Sequence, residues 1–201
     1  MFVTFEGGEG AGKTTLIHFL EKELKPKGYV VCTTREPGGD VISEKLRRLL
    51  LESKEDLCDR TELLLFLAAR AQHVKNVIEP ALRENQVVLC DRFTDSTLAY
   101  QGYGRHMDLN ILNSLCDFAA FSLTPDVTFY LDVPVEIGMQ RKNTKGFDRM
   151  ETESIEFHQK VRHAFLKLAK DHPKRIVVLD SIRPQAEIQN KVLDLLLERM
   201  L

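Results

Sequence analysis

A glycine-rich stretch near the N-terminus carries the strongest chemical signal in the sequence. Residues 7–14, GGEGAGKT, match the pattern G-x-x-x-x-G-K-[ST] in full. Glycines in such a loop let backbone N–H groups turn inward, and the N-terminus of the following helix adds partial positive charge. A nucleotide polyphosphate fits this chemistry, with Lys13 reaching the outer phosphates and the Thr14 hydroxyl ligating Mg²⁺. The alternative, a glycine-rich turn into a helix, is weaker because a β-prone run, 2–5, precedes the loop and an amphipathic run follows it.

Asp91 directly follows a short apolar run, Val87–Cys90, which predicts a strand in the middle of a parallel sheet. P-loop proteins place at this position the carboxylate that holds Mg²⁺, usually through water. A strand-end aspartate that caps a turn is the alternative. Because the P-loop is present, the magnesium role is favoured, and the sequence predicts Mg²⁺ as the cofactor of a nucleotide-phosphate site.

Two arginines closely follow predicted strands. Arg35 lies just past the run 29–33, and Arg92 lies just past Val87–Cys90. The planar guanidinium fork suits bidentate contact with a phosphate group. Since the P-loop already accounts for a triphosphate, the pair indicates a second phosphate, on an acceptor substrate. Either arginine alone would more often be a solvated loop residue.

Phe66 and Arg70 are four residues apart in a predicted helix, so both project from one face. The aromatic ring of Phe66 could stack on a planar ring of a ligand, and the guanidinium of Arg70 could donate hydrogen bonds to the edge of that ring. The spacing alone favours the other interpretation, a core Phe66 and an Arg70 whose charged end reaches solvent.

Glu9 places a carboxylate inside the anion-binding loop. Aimed at a phosphate it would repel it, so a hydroxyl or a magnesium-bound water across the crevice is the better partner. Simple exposure to solvent is the alternative that the sequence leaves open.

A polar stretch between two predicted helices, residues 141–149, carries four cations. A mobile basic segment that closes over transferring phosphates would exclude water and neutralise developing charge. Most basic loops are merely solvated, and the position of this one after the fourth predicted strand is what favours a function.

The elements that must position these residues alternate between β and α along the chain. Five short runs predict strands, at 2–5, 29–33, 87–90, 127–131 and 176–179. Helical patterns lie between them, including a long one at 61–85 that Pro80 could bend or break. This alternation predicts an α/β fold with a parallel sheet and helices on both faces. Ligands of such sheets bind beyond the carboxyl ends of the strands, where the P-loop, Arg35, Asp91, Arg92 and Asp132 would converge.

Composition narrows the class of protein. Of 201 residues, 29% are charged and 43% hydrophobic, and the net charge of −2 gives no basic field for nucleic acid or an anionic membrane. No apolar run approaches a membrane span, and the chain opens into a strand rather than a signal peptide. The four cysteines are far apart, so neither a zinc site nor a disulfide framework is indicated. Free thiols favour the reducing cytoplasm.

Six motifs in this order resemble the thymidylate kinase family of the bacterial type. They are FEGGEGAGKTT, TREPGG, LLFLAARAQH, DRFTDSTLAYQG, YLDVPVE and DRME, which span most of the chain. The resemblance implies one domain over residues 1–201, a P-loop fold around a five-stranded parallel sheet, and a short mobile lid at about 142–150. It also implies the reaction ATP + dTMP → ADP + dTDP with Mg²⁺, and a homodimer.

The resemblance implies roles by position. Lys13, Arg92 and Arg149 would be catalytic, and Thr14 and Asp91 would serve the metal. ATP would contact Gly7, Gly8, Glu9, Gly10, Ala11, Gly12, Lys13, Thr14 and Thr15. For dTMP, Arg35 and Arg92 would hold the phosphate, Glu9 the 3′-hydroxyl, Phe66 the thymine face, Arg70, Thr97 and Gln101 its polar edge, and Tyr100 the sugar. The resemblance therefore reverses the interpretation of Phe66 and Arg70 that their spacing favours.

The loop residue Gly10 departs from one branch of the family. Some members carry an arginine there, whereas this chain has glycine, which implies that the transition-state charge comes from the lid. Arg149 matches the lid motif well and Arg141 less so. Lys142 and Lys145 stand where arginines are commoner in the family, which leaves open which cation contacts the γ-phosphate.

Two other functions are weighed against this one. A GTPase-like nucleotide switch should carry N-K-x-D after a late strand, and the sequence contains none. A kinase for another nucleoside monophosphate is closer. The adenine site is marked by no motif, and the loop 180–183 is suggested for it only by its position after the fifth strand.

Overall fold

Five short strands form one sheet in the computed structural model, which describes residues 1–53, 55–141 and 149–200. The strands are β1 (Phe2–Glu6), β2 (Val31–Arg35), β3 (Val87–Asp91), β4 (Val127–Asp132) and β5 (Ile176–Asp180). Neighbouring strands all run parallel, in the order β2-β3-β1-β4-β5. The predicted five-stranded parallel sheet is confirmed, and the P-loop leaves its central strand.

The second strand differs from its predicted range of 29–33. It begins at Val31 because Gly28, with φ 91°, and the hydrogen bond from Tyr29 N–H to Leu24 C=O keep the chain turning until then. It ends at Arg35, which pairs in register with Asp91 of β3. As an edge strand, β2 tolerates polar side chains, so an apolar run misplaces it by two residues. Arg35 is therefore the last residue of a strand and not a loop residue.

The helices occupy the intervals between strands. They are α1 (Lys13–Leu24), α2 (Val41–Glu52), α3 (Asp59–His73), α4 (Glu79–Arg83), α5 (Thr94–Thr97), α6 (Leu109–Ala119), α7 (Val135–Arg141), α8 (Ile155–Asp171) and α9 (Gln185–Met200). Side-chain caps start several of them, such as Asp40, which accepts the N–H groups of Ile42 and Ser43. In the described part of the chain, no helix has both the length and the apolar character needed to cross a bilayer.

Pro80 does not break the long predicted helix. A π-helical segment, Val74–Ile78, joins α3 to α4, and Pro80 follows as the second residue of α4. A second π-helical segment, Leu98–Gly104, extends α5. Such segments are frequent at functional sites, and each of these two lies next to residues predicted to recognise a nucleotide base.

Both faces of the sheet are buried, because alternate strand residues enter different clusters. Val3 and Phe5 of β1 pack with α1 and α9 on one face. Phe2 packs on the other face, with Ile78 and Val88. On β4, the ring of Tyr130 stacks on Phe165 of α8, with centroids 4.9 Å apart. The prediction of helices on both faces is confirmed, and this rigid support fixes the strand ends where the site forms.

Candidate active site

The P-loop lies directly against α7, and two glycines make this contact. Gly10 has φ 65°, and a Cβ built on it would lie 2.0 Å from the carbonyl oxygen of Gly138. A Cβ on Gly138 would in turn lie 2.3 Å from the carbonyl oxygen of Glu9. Real Cβ atoms do not approach oxygens so closely, so both positions require glycine. Any side chain at Gly10, arginine included, would displace α7.

Lys13 starts α1 and turns back over the loop. Its Nζ donates to the carbonyl oxygens of Gly7, at 3.0 Å, and Gly8, at 3.2 Å. Burial lowers the pKa of Lys13, and the neighbouring charge of Arg92 adds to that effect. The ammonium is thus held at the mouth of the P-loop by neutral acceptors, for which anionic phosphate oxygens are stronger partners.

Thr14 and Asp91 form the candidate metal site. The Thr14 hydroxyl donates to Asp91 Oδ2 at 3.3 Å. Asp91 Oδ1 is buried and has no hydrogen-bond partner among the described residues. An orphaned carboxylate oxygen beside a threonine hydroxyl fits Mg²⁺, which takes few protein oxygens and completes its shell with water and substrate phosphates. Residues 1–53, 55–141 and 149–200 contain no cluster of three or more acidic, His or Cys ligands.

Arg92 crosses the cleft towards the P-loop. Its Nη2 donates to Glu9 Oε1 at 2.8 Å, and its guanidinium lies over the Tyr100 ring at 5.1 Å. Burial opposes its charge, but Tyr100, Glu9 and other acidic neighbours raise the pKa of Arg92 above its ordinary value. Glu9 therefore points across the crevice, as expected, but its partner in the structure is an arginine.

Glu6 is a functional candidate that sequence reasoning missed. It ends β1, is fully buried, and accepts hydrogen bonds from Phe93 N–H at 2.8 Å and Ser96 O–H at 2.6 Å. Burial, together with the negative charge of Asp95, raises the pKa of Glu6 to about 7. These bonds hold the segment that directly follows Arg92 against the end of β1. The sequence signal that could have identified Glu6 is a carboxylate at the last position of a largely apolar strand.

Arg70 lies in the wall of the same cleft and is only 2% exposed. Its Nε donates to Glu36 Oε2 at 2.7 Å, Nη1 to Thr97 Oγ1 at 2.9 Å, and Nη2 to Phe93 C=O at 3.0 Å. The interpretation from spacing alone, an Arg70 whose charge reaches solvent, is wrong. The buried counter-ion Glu36 is what allows the guanidinium to stay inside.

Glu36 was also missed by sequence reasoning. Its second oxygen, Oε1, contacts His73 Nδ1 at 3.0 Å, and His73 Nε2 contacts Thr34 Oγ1 at 2.6 Å. Burial raises the pKa of Glu36, but Arg70 and His73 together lower it below its ordinary value. The motif TREPGG contains this residue, but only the fold shows that its carboxylate faces a helix 34 residues away.

One cleft of about 780 Å³ collects most of the predicted site residues. Those lining it are Glu9, Gly10, Ala11, Gly12, Lys13, Thr14, Thr15, Arg35, Phe66, Arg70, Asp91, Arg92, Thr97, Tyr100 and Gln101. The P-loop lines one part of the cleft, and the half-buried Phe66 and the buried Arg70 of α3 line another. Arg35 is paired with Glu44, its Nη2 lying 3.0 and 3.1 Å from the two carboxylate oxygens.

Arg149 is the predicted catalytic residue that the structure places elsewhere. Its Nη2 donates to Glu62 Oε2 at 2.6 Å, and its Nε donates to Leu50 C=O, at the end of α2, at 3.0 Å. Arg149 does not line the cleft, although the next two residues, Met150 and Glu151, do. Residues 142–148 of the predicted lid, including Lys142 and Lys145, lie outside the described residues.

Asp132, at the end of β4, and the loop 180–183, which follows β5, do not line the cleft. Asp132 accepts from Arg162 Nε and Nη2 at 2.7 and 2.9 Å. Beyond β5, the Ser181 hydroxyl donates to Ala11 C=O at 2.5 Å, and Arg141 Nη1 donates to Ser181 C=O at 2.9 Å. The loop 180–183 thus supports the back of the P-loop.

The chain is similar to proteins of one family. It matches the family model described as thymidylate kinase over residues 5–192. It is 48% identical to a thymidylate kinase of Desulfovibrio desulfuricans over 197 residues, which cover 94% of this chain and 91% of that one. A thymidylate kinase of Geotalea uraniireducens is 45% identical over 211 residues, with coverages of 99% and 97%.

A solved structure has a similar fold. The crystal structure of thymidylate kinase from Ehrlichia chaffeensis superposes with a TM-score of 0.80 and 36% identity, covering 98% of each chain. Sequence and fold therefore point to the same family over almost the whole chain.

Proposed function

The chain belongs to the thymidylate kinase family, and on that premise we propose that it is an ATP-dependent dTMP kinase. The reaction is ATP + dTMP → ADP + dTDP, a step towards dTTP. The observation that carries the proposal is the single cleft with two unlike ends. A P-loop forms one end, and a half-buried aromatic ring beside a buried arginine forms the other. Such a cleft suits a donor triphosphate facing an acceptor nucleotide.

The transfer requires no protein base or nucleophile. The acceptor oxygen of dTMP is already anionic, so direct in-line attack on the γ-phosphorus needs only positioning and charge neutralisation. Lys13 supplies positive charge at the P-loop and Arg92 supplies it between the two substrates. Thr14 and Asp91 would hold Mg²⁺, which when bound neutralises charge on the donor phosphates.

The acceptor is held by residues along the cleft wall. Arg35 and Arg92 bind the dTMP phosphate, and anionic phosphate oxygens compete with their present carboxylate partners. Glu9 then accepts the 3′-hydroxyl of the deoxyribose. Tyr100, buried under Arg92, lies against the sugar where a 2′-hydroxyl would project, so ribonucleotides fit poorly. Phe66 stacks on the base.

Arg149 is proposed as the lid arginine that neutralises the transferring phosphate. Its guanidinium is paired with Glu62 in the structure, so this role requires the pair to open when both substrates are bound.

We further infer a homodimer in the cytoplasm, with residues 1–201 as one domain. Exposed apolar side chains on α3 and α6, Leu64, Ile111 and Phe118, offer a surface for a second copy. Four free cysteines suit a reducing compartment.

A coupled assay with ATP and Mg²⁺ across dTMP, dUMP, dCMP, UMP and thymidine tests the function. We expect dTMP to be the preferred acceptor and thymidine, which has no phosphate, to be inactive. Preference for another monophosphate would overturn the substrate assignment. ATP turnover that no acceptor stimulates would indicate a nucleotide switch instead.

A further inference from the structure

Glu62 of α3 is a buried carboxylate to which the proposed mechanism gives no role beyond its pairing with Arg149. It is 0% exposed and accepts hydrogen bonds from Gln101 Nε2 at 2.8 Å, Arg105 Nη2 at 3.1 Å and Arg149 Nη2 at 2.6 Å. Burial raises the pKa of Glu62, but the bonds from Arg105, Gln101 and Arg149 lower it below its ordinary value. The group is therefore ionised at neutral pH and can only accept hydrogen bonds.

This carboxylate fixes the orientation of the Gln101 side chain. Because Glu62 only accepts, the amide NH₂ of Gln101 must face it, and the amide oxygen faces the opposite way. Gln101 lines the cleft, and none of the residues in 1–53, 55–141 and 149–200 donates a hydrogen bond to its Oε1. Gln101 therefore presents a hydrogen-bond acceptor, its Oε1, to the cleft.

Arg70 presents the complementary group, a donor. Of its five N–H bonds, those of Nε and Nη1 are directed at Glu36, Thr97 and a cysteine sulfur, and one of Nη2 at Phe93 C=O. One Nη2 N–H has no acceptor among the described residues. Thr97 accepts from Arg70 and lies four residues before Gln101, so the donor and the acceptor share one wall of the cleft.

We propose that Glu62 is a positioning residue that holds the Gln101 carbonyl towards the cleft, so that Arg70 and Gln101 together select the imide edge of a pyrimidine. Thymine offers a carbonyl acceptor, O4, beside an N3–H donor, whereas cytosine offers an amino donor beside an acceptor nitrogen. A cytosine would place donor against donor and acceptor against acceptor. The inference rests on the proposed function, in which Arg70, Thr97 and Gln101 meet the polar edge of thymine, and adds to it the buried carboxylate that orients Gln101.

The test is the ratio of kcat/KM for dTMP to that for dCMP in the variant Glu62→Gln. A glutamine at this position can donate as well as accept, so it frees the Gln101 amide to turn its NH₂ to the cleft. Polar mismatches of this kind govern substrate rejection, and we expect the ratio to fall at least about tenfold. A purely structural role would lower both kcat/KM values together and leave the ratio unchanged.

Arg105→Gln is the matched control. Arg105 binds the same carboxylate, and its loss weakens the ion-pair cluster but leaves the Glu62–Gln101 bond intact. This variant should unfold at a lower temperature and keep the wild-type ratio. An equal shift of the ratio in Arg105→Gln would overturn the proposal.

The double variant Glu62→Gln with Gln101→Glu exchanges the two groups and preserves the net charge. The amide now donates from the other side, and the carboxylate at 101 again presents only acceptors to the cleft, so the ratio should return towards wild type. Should Glu62→Gln alone fail to fold, the double variant still decides, because a double variant that accepts dCMP contradicts the proposal. The wild-type enzyme in the same assay distinguishes failure of the proposed function from failure of this inference. If wild type does not turn over dTMP, the proposed function is wrong. If wild type is active and Glu62→Gln leaves the ratio unchanged, only this inference is wrong.

Discussion

The two ends of the cleft, which we propose bind the phosphates and the base, are built by different means. At the phosphate end, the contacts are local: Lys13 Nζ meets the carbonyl oxygens of residues five and six positions earlier. At the base end, the contacts of Arg70 and Gln101 join side chains 27 to 39 residues apart. All nucleotides share phosphates, so a curled backbone suffices for them. Choosing among bases requires polar side chains whose orientation is fixed, and we propose that buried carboxylates fix it here.

Two buried glutamates show the same contrast in their charges. Burial raises the pKa of both carboxyls. Near the P-loop, Glu6 also feels the negative charge of Asp95, and its pKa rises to about 7. At the base end, Arg70 and His73 outweigh burial and lower the pKa of Glu36. The base end is thus a fully compensated ionic network, whereas the phosphate end keeps a carboxyl that titrates near neutrality.

The largest expected effect is at the phosphate end. Lys13→Ala removes a charge that acts on the transferring phosphates, and loss of one such electrostatic contact commonly costs roughly 3–4 kcal/mol of barrier. We expect kcat to fall by about two to three orders of magnitude, with KM for dTMP nearly unchanged, in steady-state assays. Lys27→Ala, on an exposed turn, is the control and should behave as wild type. A rise in KM for dTMP as large as the fall in kcat would show that the two ends are not separable.

The complementary change at the base end is Phe66→Ala. Stacking of a base on an aromatic ring contributes roughly 1–3 kcal/mol, so KM for dTMP should rise by about tenfold or more while kcat changes little. Arg60→Ala removes an exposed side chain from the same helix and serves as the control. An unchanged KM in Phe66→Ala would place the thymine ring elsewhere.

A smaller effect, on stability, is expected for Glu6→Gln. A carboxyl whose pKa is raised in the folded state loses stability as pH rises from its unfolded to its folded pKa. Wild type should therefore lose about 2–3 kcal/mol relative to Glu6→Gln between pH 5 and pH 8, since one pKa unit corresponds to about 1.4 kcal/mol. Denaturant unfolding at both pH values measures this difference, with the exposed Glu84→Gln as the control. A difference that does not change with pH would contradict the raised pKa.

The sequence predicted what depends on local pattern. The five strands, their parallel arrangement and the P-loop follow from apolar runs and from one contiguous motif. Phe66 and Arg70 show the limit, since their spacing alone favoured a solvent-facing arginine. What reverses it in the structure is Glu36, a partner 34 residues away that no periodicity indicates.

The remaining differences have the same physical origin. Glu62 was not singled out because a glutamate in the first turn of a helix is ordinary, and only the packing of α3 against the segment 98–104 buries it. Gly138 was missed because its partner, Gly10, approaches it through backbone atoms that carry no side-chain signal. Arg149 shows that a motif can identify a residue without fixing its contacts, since in this structure it binds Glu62.

We propose that one cleft binds donor phosphates at the P-loop and a thymine ring at the Phe66 end. A crystal structure of the chain with dTMP and a non-hydrolysable ATP analogue tests it most directly. We predict that the thymine lies on the ring of Phe66, with its N3 within hydrogen-bond distance of Gln101 Oε1 and the dTMP phosphate on Arg35 and Arg92. A thymine bound away from Phe66 and Gln101, or a dTMP phosphate that neither arginine contacts, would contradict the account.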